Sequence, residues 1–149
     1  MKESFYRRFF QSASNGLFVI NAHGRIIEAN PAVCAMHGYI RDEVIGMSMR
    51  KLVHPDNYHL FAKCIGQVCR GEKVFTEAKT VRKCGTVIDV EVYGWAFISR
   101  GRLYILGSAN EISERKKNEK ELRDYIQMLE TTNLSLKEQI FSMASSCCG

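Results

Sequence analysis

Four side chains that can bind metals stand at even intervals in the segment LVHPDNYHLFAKCIGQVC: His54, His59, Cys64 and Cys69. Imidazoles and thiolates are ordinary ligands of zinc and of haem iron, so this rhythm invites a metal-centre reading. Helix geometry excludes it. Five residues of α-helix rotate a side chain by ~140° and raise it by ~7.5 Å. Chelation from one helix instead needs neighbours at i, i+3 or i, i+4. His54 also precedes Pro55 and falls outside the helix that the segment encodes. That helix is read from Tyr58, Phe61, Ile65 and Val68, which recur at helical spacing between Asp56 and Arg70 before Gly71 ends the run. No metal site is expected. Elsewhere no glycine-rich phosphate loop and no Ser/His/Asp or Cys/His constellation can be read. His23 and His37 sit at a turn and a helix end, where structural roles suffice, and no enzymatic activity is expected.

The chain has 149 residues with an apolar fraction of 46%, which suits one folded domain plus an appendage. Its net charge of +5 is scattered over loops rather than gathered on one face. Nucleic-acid binding by this chain alone is therefore not expected. No apolar run approaches the ~20 residues of a membrane span, and the opening MKESFYRRFFQSASNG lacks the apolar region of a secretory signal. These features predict a cytoplasmic protein without membrane insertion, whose six cysteines are reduced thiols.

The elements that must position any site follow from pattern and punctuation. An N-terminal aromatic helix (Phe5, Phe9, with Tyr6 and Phe10 alongside) is expected over residues 1–15. GLFVIN and RIIEAN flank a glycine-containing turn and read as a hairpin. Asn30-Pro31 is a helix start, since Asn caps well and Pro is preorganised for the first turn. The helix PAVCAMH is stopped by Gly38, and a short helical piece around RDEVIG is stopped by Gly46. After the longer helix come three strand candidates, 75–82, 86–99 and 103–112. The order predicts an α+β domain with a five-stranded antiparallel sheet and helices over one face, spanning 16–112.

Strand 86–99 alternates. Ile88, Val90, Val92, Gly94, Ala96 and Ile98 share one face, assigned to the interior. Tyr93, Trp95 and Phe97 share the other, an aromatic patch for which the N-terminal helix or a second subunit is the expected cover. Gly107 and Ala109 keep the next strand small, leaving room either for bulky helix side chains or for a ligand.

From Ser113 the chain is polar, charged and free of Gly and Pro until its last residue. Leu122, Ile126, Leu129, Asn133, Leu136, Ile140 and Met143 keep 4-3-4-3 spacing, with Leu at d and Ile, Asn, Ile at a. β-branched a residues with Leu at d favour a parallel two-stranded coiled coil, and one Asn at a fixes register and strand number. A coiled-coil helix over 113–143, a homodimer and a disordered tail at 144–149 are expected. Cys147 and Cys148 carry no structural signal.

Four segments in order resemble the PAS sensory domains, over about Phe9 to Glu121. GLFVINAHGRIIEANPAVCAMHGYIRDEVIGM is similar to the family's opening, LVHPDN to its His-Pro element, VRKCG to its glycine hairpin, and EISERKKNEKEL to its closing motif. Asn21 and Glu111 depart from it, standing where the family commonly has Asp. The resemblance implies the sheet and helices described above, enclosing a small-molecule pocket. Asn30, Cys34, Tyr58, Phe61, Ile65, Val92, Gly94 and Gly107 are the expected pocket residues. It further implies that the trailing helix is a signalling coiled coil. Leu122, Ile126, Leu129, Asn133, Leu136 and Ile140 would dimerise along it, and Tyr93, Trp95 and Phe97 across the sheet. Haem and flavin are cofactors of such domains, but neither ligand motif is present: the iron-bearing position falls near Ala62, and no Asn-Cys-Arg precedes the long helix. Two functions follow. One is a sensor of a small molecule or of redox state, signalling through the coiled coil to an effector of histidine-kinase or transcription-regulator type outside this chain. The other is an interaction and dimerisation module with a filled core and no ligand.

Overall fold

The expected hairpin is formed by β1 (Gly16–Asn21) and β2 (Ile26–Ala29), paired antiparallel, in the computed structural model, which describes residues 2–148. Its turn is closed by Asn21, whose Oδ1 accepts from the His23 and Arg25 amides at 2.9 and 3.0 Å. This needs only an acceptor oxygen, so Asn serves where the family commonly has Asp.

α1 (Lys2–Ser12) precedes the hairpin, and α2 (Pro31–His37) follows it. α2 ends at Gly38, whose φ of 75° is the left-handed conformation that glycine adopts without strain. The Tyr39 amide then donates to Cys34 O, satisfying a carbonyl of the last turn. α3 (Arg41–Val44) and two 3-10 turns, Met49–Leu52 and Pro55–Asn57, lead to α4 (Tyr58–Cys69). β3 (Val74–Val81), β4 (Val87–Ser99) and β5 (Arg102–Glu111) complete an all-antiparallel sheet of order β2-β1-β5-β4-β3. The last strand in sequence thus lies at the centre, joining the hairpin to the three-stranded half.

α4 packs across β3 and β4, and the core gathers beneath the helices around Ile20, Ile26, Leu52, Val68 and Ile105. Burying each such side chain contributes ~1.5–3 kcal/mol, so a handful of these contacts holds the layer of helices to the sheet. β4 alternates as expected from Ile88 through Ala96, with Ile88, Val90 and Gly94 buried. Ile98 departs from that assignment. It is 74% exposed, because it lies at the far end of β4, next to the turn into β5, outside the buried core.

The aromatic patch stands where expected, but α1 does not cover it. α1 leans on α2, and its Phe5, Tyr6 and Phe9 remain 67%, 65% and 62% exposed. Tyr93, Trp95 and Phe97 are exposed on the sheet, partly shielded by ring contacts along the same face: Phe75 on Tyr93 and Phe97 on Tyr104.

The chain divides into two units at Ser113–Glu114. The second is the body of α5 (Ser113–Cys148), a helix whose heptad residues from Leu122 to Met143 all face solvent. The helix continues through Cys148, past the expected end at 143, because no Gly or Pro interrupts residues 144–148. Gly149 lies outside the described residues.

Candidate functional site

A cavity of about 110 Å³ lies between α4 and the inner face of the sheet. Phe61, Cys64, Ile65 and Val68 roof it, and Val92, Gly94 and Gly107 belong to its floor. Five of the eight expected pocket residues therefore come together here: Phe61, Ile65, Val92, Gly94 and Gly107.

The other three do not, each for a physical reason. Asn30 is fully buried, but its amide is consumed by backbone. Oδ1 accepts from Leu17 N–H at 2.8 Å and Val33 N–H at 3.0 Å, while Nδ2 donates to Phe10 O and Asn15 O. It caps α2 and ties the end of α1 and the loop after it to the sheet. Cys34, one turn further along α2, packs into the core cluster instead. Tyr58 opens α4 at the surface, where the Arg50 guanidinium lies 4.2 Å from its ring centroid. There the ring gains a cation–π contact and its hydroxyl need not be buried.

The two small residues on the floor answer differently the question of what they make room for. A Cβ on Gly107 would collide with the outer edge of the Phe18 ring, so β1 fills that space from the neighbouring strand. At Gly94 the nearest side-chain atom to such a Cβ is Val68 Cγ1 at 3.8 Å, ordinary contact distance, and the space stays open.

The lining is almost wholly apolar, and the polar atoms of His37 and Thr80 at its edge are turned to each other and to backbone. His37 is buried at the end of α2, with Nδ1 3.0 Å from Val33 O and Nε2 3.0 Å from Thr80 Oγ1 on β3. Both residues line the cavity. Burial pushes the His37 pKa below its ordinary value. The Val33 hydrogen bond opposes this shift, Arg82 reinforces it, and Glu111 opposes it. Burial likewise raises the Cys64 thiol, with Lys63 opposing, so it is a protonated wall residue rather than a thiolate. His37 and Thr80 were not expected at the site. They are 43 residues apart, and only the docking of α2 against β3 joins them, a contact with no sequence period.

The residues of the initial metal-like rhythm separate. His54 Nδ1 accepts from the Asp56 amide at 3.1 Å and caps the Pro55–Asn57 turn. His59 is exposed on α4, beside a surface groove with Tyr58 and Ala62. Cys64 faces the cavity, and Cys69 is exposed. Among the described residues no three His, Cys, Asp or Glu side chains form a metal-sized group. Haem and flavin do not fit this site either. Its volume is well below the ~300 Å³ at the lower end of drug-sized pockets, and no histidine on α4 faces it.

The architecture defines a class: a small α+β domain with a cavity between one helix and an antiparallel sheet. The family model for the PAS fold matches residues 4–112, and the chain belongs to that family. Over 119 residues it is 26% identical to the methyl sulfide methyltransferase-associated sensor of Methanosarcina acetivorans, a match covering 78% of this chain and 12% of that protein. The chain thus spans only a small part of that relative's length. Among solved structures it is similar to a domain of the sensory box sensor histidine kinase/response regulator from Geobacter sulfurreducens. That match has 28% identity and a TM-score of 0.64, covering 73% of this chain and 93% of that one. The PAS domain of a Colwellia psychrerythraea protein superposes with a TM-score of 0.71 at 20% identity, covering 76% and 99% of the two chains. That of an HTR-like protein from Haloarcula marismortui gives 0.67 at 24%, covering 74% and 92%. These last two speak for the fold alone. Among the described residues no helix is long and apolar enough to cross a membrane.

Proposed function

We propose that this PAS domain is a sensory module that binds a small molecule in the cavity beneath α4. Its occupancy is passed through a dimeric α5 coiled coil to an effector of histidine-kinase or transcription-regulator type. The observation that carries this reading is the open cavity itself. Interiors are normally packed to crystal-like density, so about 110 Å³ left unfilled beside Gly94 is space the fold maintains rather than closes.

A route outward exists in the same unit. β5 runs through the cavity floor at Gly107 and Ala109, and its end is clamped to β4. Ile112 N–H donates to Asp89 O at 2.8 Å, and Ser113 Oγ accepts from the Asp89 amide at 3.0 Å. Ser113 is also the first residue of α5. Strain at the floor therefore reaches the start of the helix through one strand. The relative named as a sensor and the neighbour named as a sensor histidine kinase/response regulator support an output of this kind.

The exposed aromatic face of β3–β5 supports the second reading, an interaction and dimerisation module. Native mass spectrometry of freshly purified protein, with its absorption spectrum, separates the two. A retained small molecule is the expected result. Recovering none under several expression conditions, together with no stabilisation by any small-molecule panel, would favour the interaction module.

A further inference from the structure

We propose that the cavity beneath α4 takes uncharged, apolar molecules smaller than benzene, such as short or halogenated hydrocarbons, and rejects isosteres that carry a hydroxyl. This rests on the reading of the cavity as a ligand site and adds the chemical class.

The lining dictates the polarity. None of its residues is Lys, Arg, Asp or Glu, so a charged guest would lose its hydration without gaining a counter-ion. Its polar side chains are engaged with one another or with backbone. His37 Nε2 lies 3.0 Å from Thr80 Oγ1, and Nδ1 lies 3.0 Å from Val33 O. Thr76 Oγ1 donates to Glu77 O at 3.1 Å, and Asn57 Oδ1 accepts from the Lys79 amide at 2.6 Å. Tyr93 is turned to the outer face, its ring centroid 4.5 Å from that of Phe75. Cys64 remains, and a thiol packed in this way behaves as a small hydrophobe. What faces the space is therefore hydrocarbon, aromatic ring and sulfur. Such a lining rewards an apolar guest over water, which needs about two to four polar partners to be held.

Size sets the other limit. About 110 Å³ is below the ~150 Å³ of an apolar cavity that admits benzene, so the guest is smaller than that ring. Gly94 keeps the space open, with Val68 Cγ1 3.8 Å from where its Cβ would stand. Phe61, Ile65 and Ile105 line both the cavity and the surface groove beside α4, which gives an apolar guest an apolar way in.

Propane and ethanol match in heavy atoms and differ in one hydroxyl, and benzene is the oversize probe. Amide and methyl NMR titration of the full chain, with propane dissolved under pressure, follows the Gly94 N–H and the Val68 methyls. Propane should give saturable shifts at both. It should bind at least about tenfold more tightly than ethanol, the cost of leaving one hydroxyl without a partner. Benzene should bind more weakly than propane, and Gly94→Ala should weaken propane several-fold by taking up part of the space. Ethanol binding as tightly as propane would overturn the apolar class, and benzene binding as tightly would overturn the size limit; either result leaves the cavity a ligand site. Unchanged propane affinity in Gly94→Ala would put the guest elsewhere and overturn the assignment to this cavity. If propane gives no saturable shift while native mass spectrometry recovers a polar or charged ligand, the class falls and the ligand-site reading stands. If propane gives none and nothing is recovered, both fall. Should Gly94→Ala not fold, the wild-type comparisons still decide.

Discussion

Folding alters the chemistry of His37. Burial holds it neutral below its ordinary pKa of 6.5, so below that pH the unfolded chain binds its proton more readily than the folded chain does. Its contribution to stability is complete above 6.5, declines as the pH falls below that value, and levels off past the folded pKa. Denaturant melts of wild type and His37→Gln between pH 7.5 and 4.5 should show the wild type losing stability faster on acidification, and parallel curves would refute the assignment. Thiol reactivity divides by the same physics. Cys84 is exposed and its pKa is lowered, chiefly by the Thr86 hydroxyl 3.2 Å from its sulfur, whereas burial raises Cys34 and Cys64. Iodoacetamide at pH 8 should therefore modify Cys84 before either of the other two, as peptide mapping by mass spectrometry will show. At this scale the sequence was informative where one side chain answers to its immediate neighbours. Pro55 sets His54 outside the helix, and helical spacing alone keeps His59, Cys64 and Cys69 from converging. His37 could not be read from its neighbours, because its meaning lies in a hydroxyl on a strand that folding brings to it.

Elements were readable where caps and alternation agree. Asn30-Pro31 and Gly38 bound α2 as their conformations dictate, and β4 turns the residues from Ile88 to Ala96 inward and outward as its pattern implies. Asn30 illustrates how a correctly placed residue can be given the wrong work. It was assigned to a pocket wall, yet its amide makes four hydrogen bonds that join α2, β1, the end of α1 and the loop after it. Asn30→Ala should lower stability by about 2–4 kcal/mol, combining a lost cap with buried groups left unpaired. Asn30→Asp should be as harmful at neutral pH, since its second oxygen would face the Phe10 and Asn15 carbonyls, and partly recover on acidification as a donor returns. The floor glycines form a complementary pair. Gly107→Ala collides with the Phe18 ring and should cost about 1–3 kcal/mol, driving that ring toward the cavity. Gly94→Ala fits at contact distance and should leave the melting temperature nearly unchanged while reducing the amount of any small molecule retained in the cavity, read by native mass spectrometry. Such a split between stability and affinity would locate the ligand beside Gly94 and not merely somewhere in the fold.

For the whole molecule, the unresolved quantity in physical terms is apolar surface. α5 extends for 36 residues, about 54 Å at 1.5 Å per residue, and its a and d side chains are uncovered. Leu122, Leu129 and Leu136 are 59%, 48% and 51% exposed, and Ile126 and Ile140 are 45% and 66% exposed. An isolated polar helix of this kind gains little from propensity alone, so pairing along the stripe is the natural source of its stability. Asn133, at an a position among isoleucines, can satisfy its amide with a partner's only when two helices lie parallel and in register. Dimerisation through α5 is therefore expected. Sedimentation of the intact chain should give twice the protomer mass, and a chain ending at Glu114 should give a monomer. If both were monomeric, the coiled coil would be wrong; if both were dimeric, the aromatic face of β3–β5 would be the seat of association. Asn133→Leu should raise the melting temperature of the intact chain while admitting species larger than a dimer. An Asn that set nothing would give higher stability with the mass unchanged.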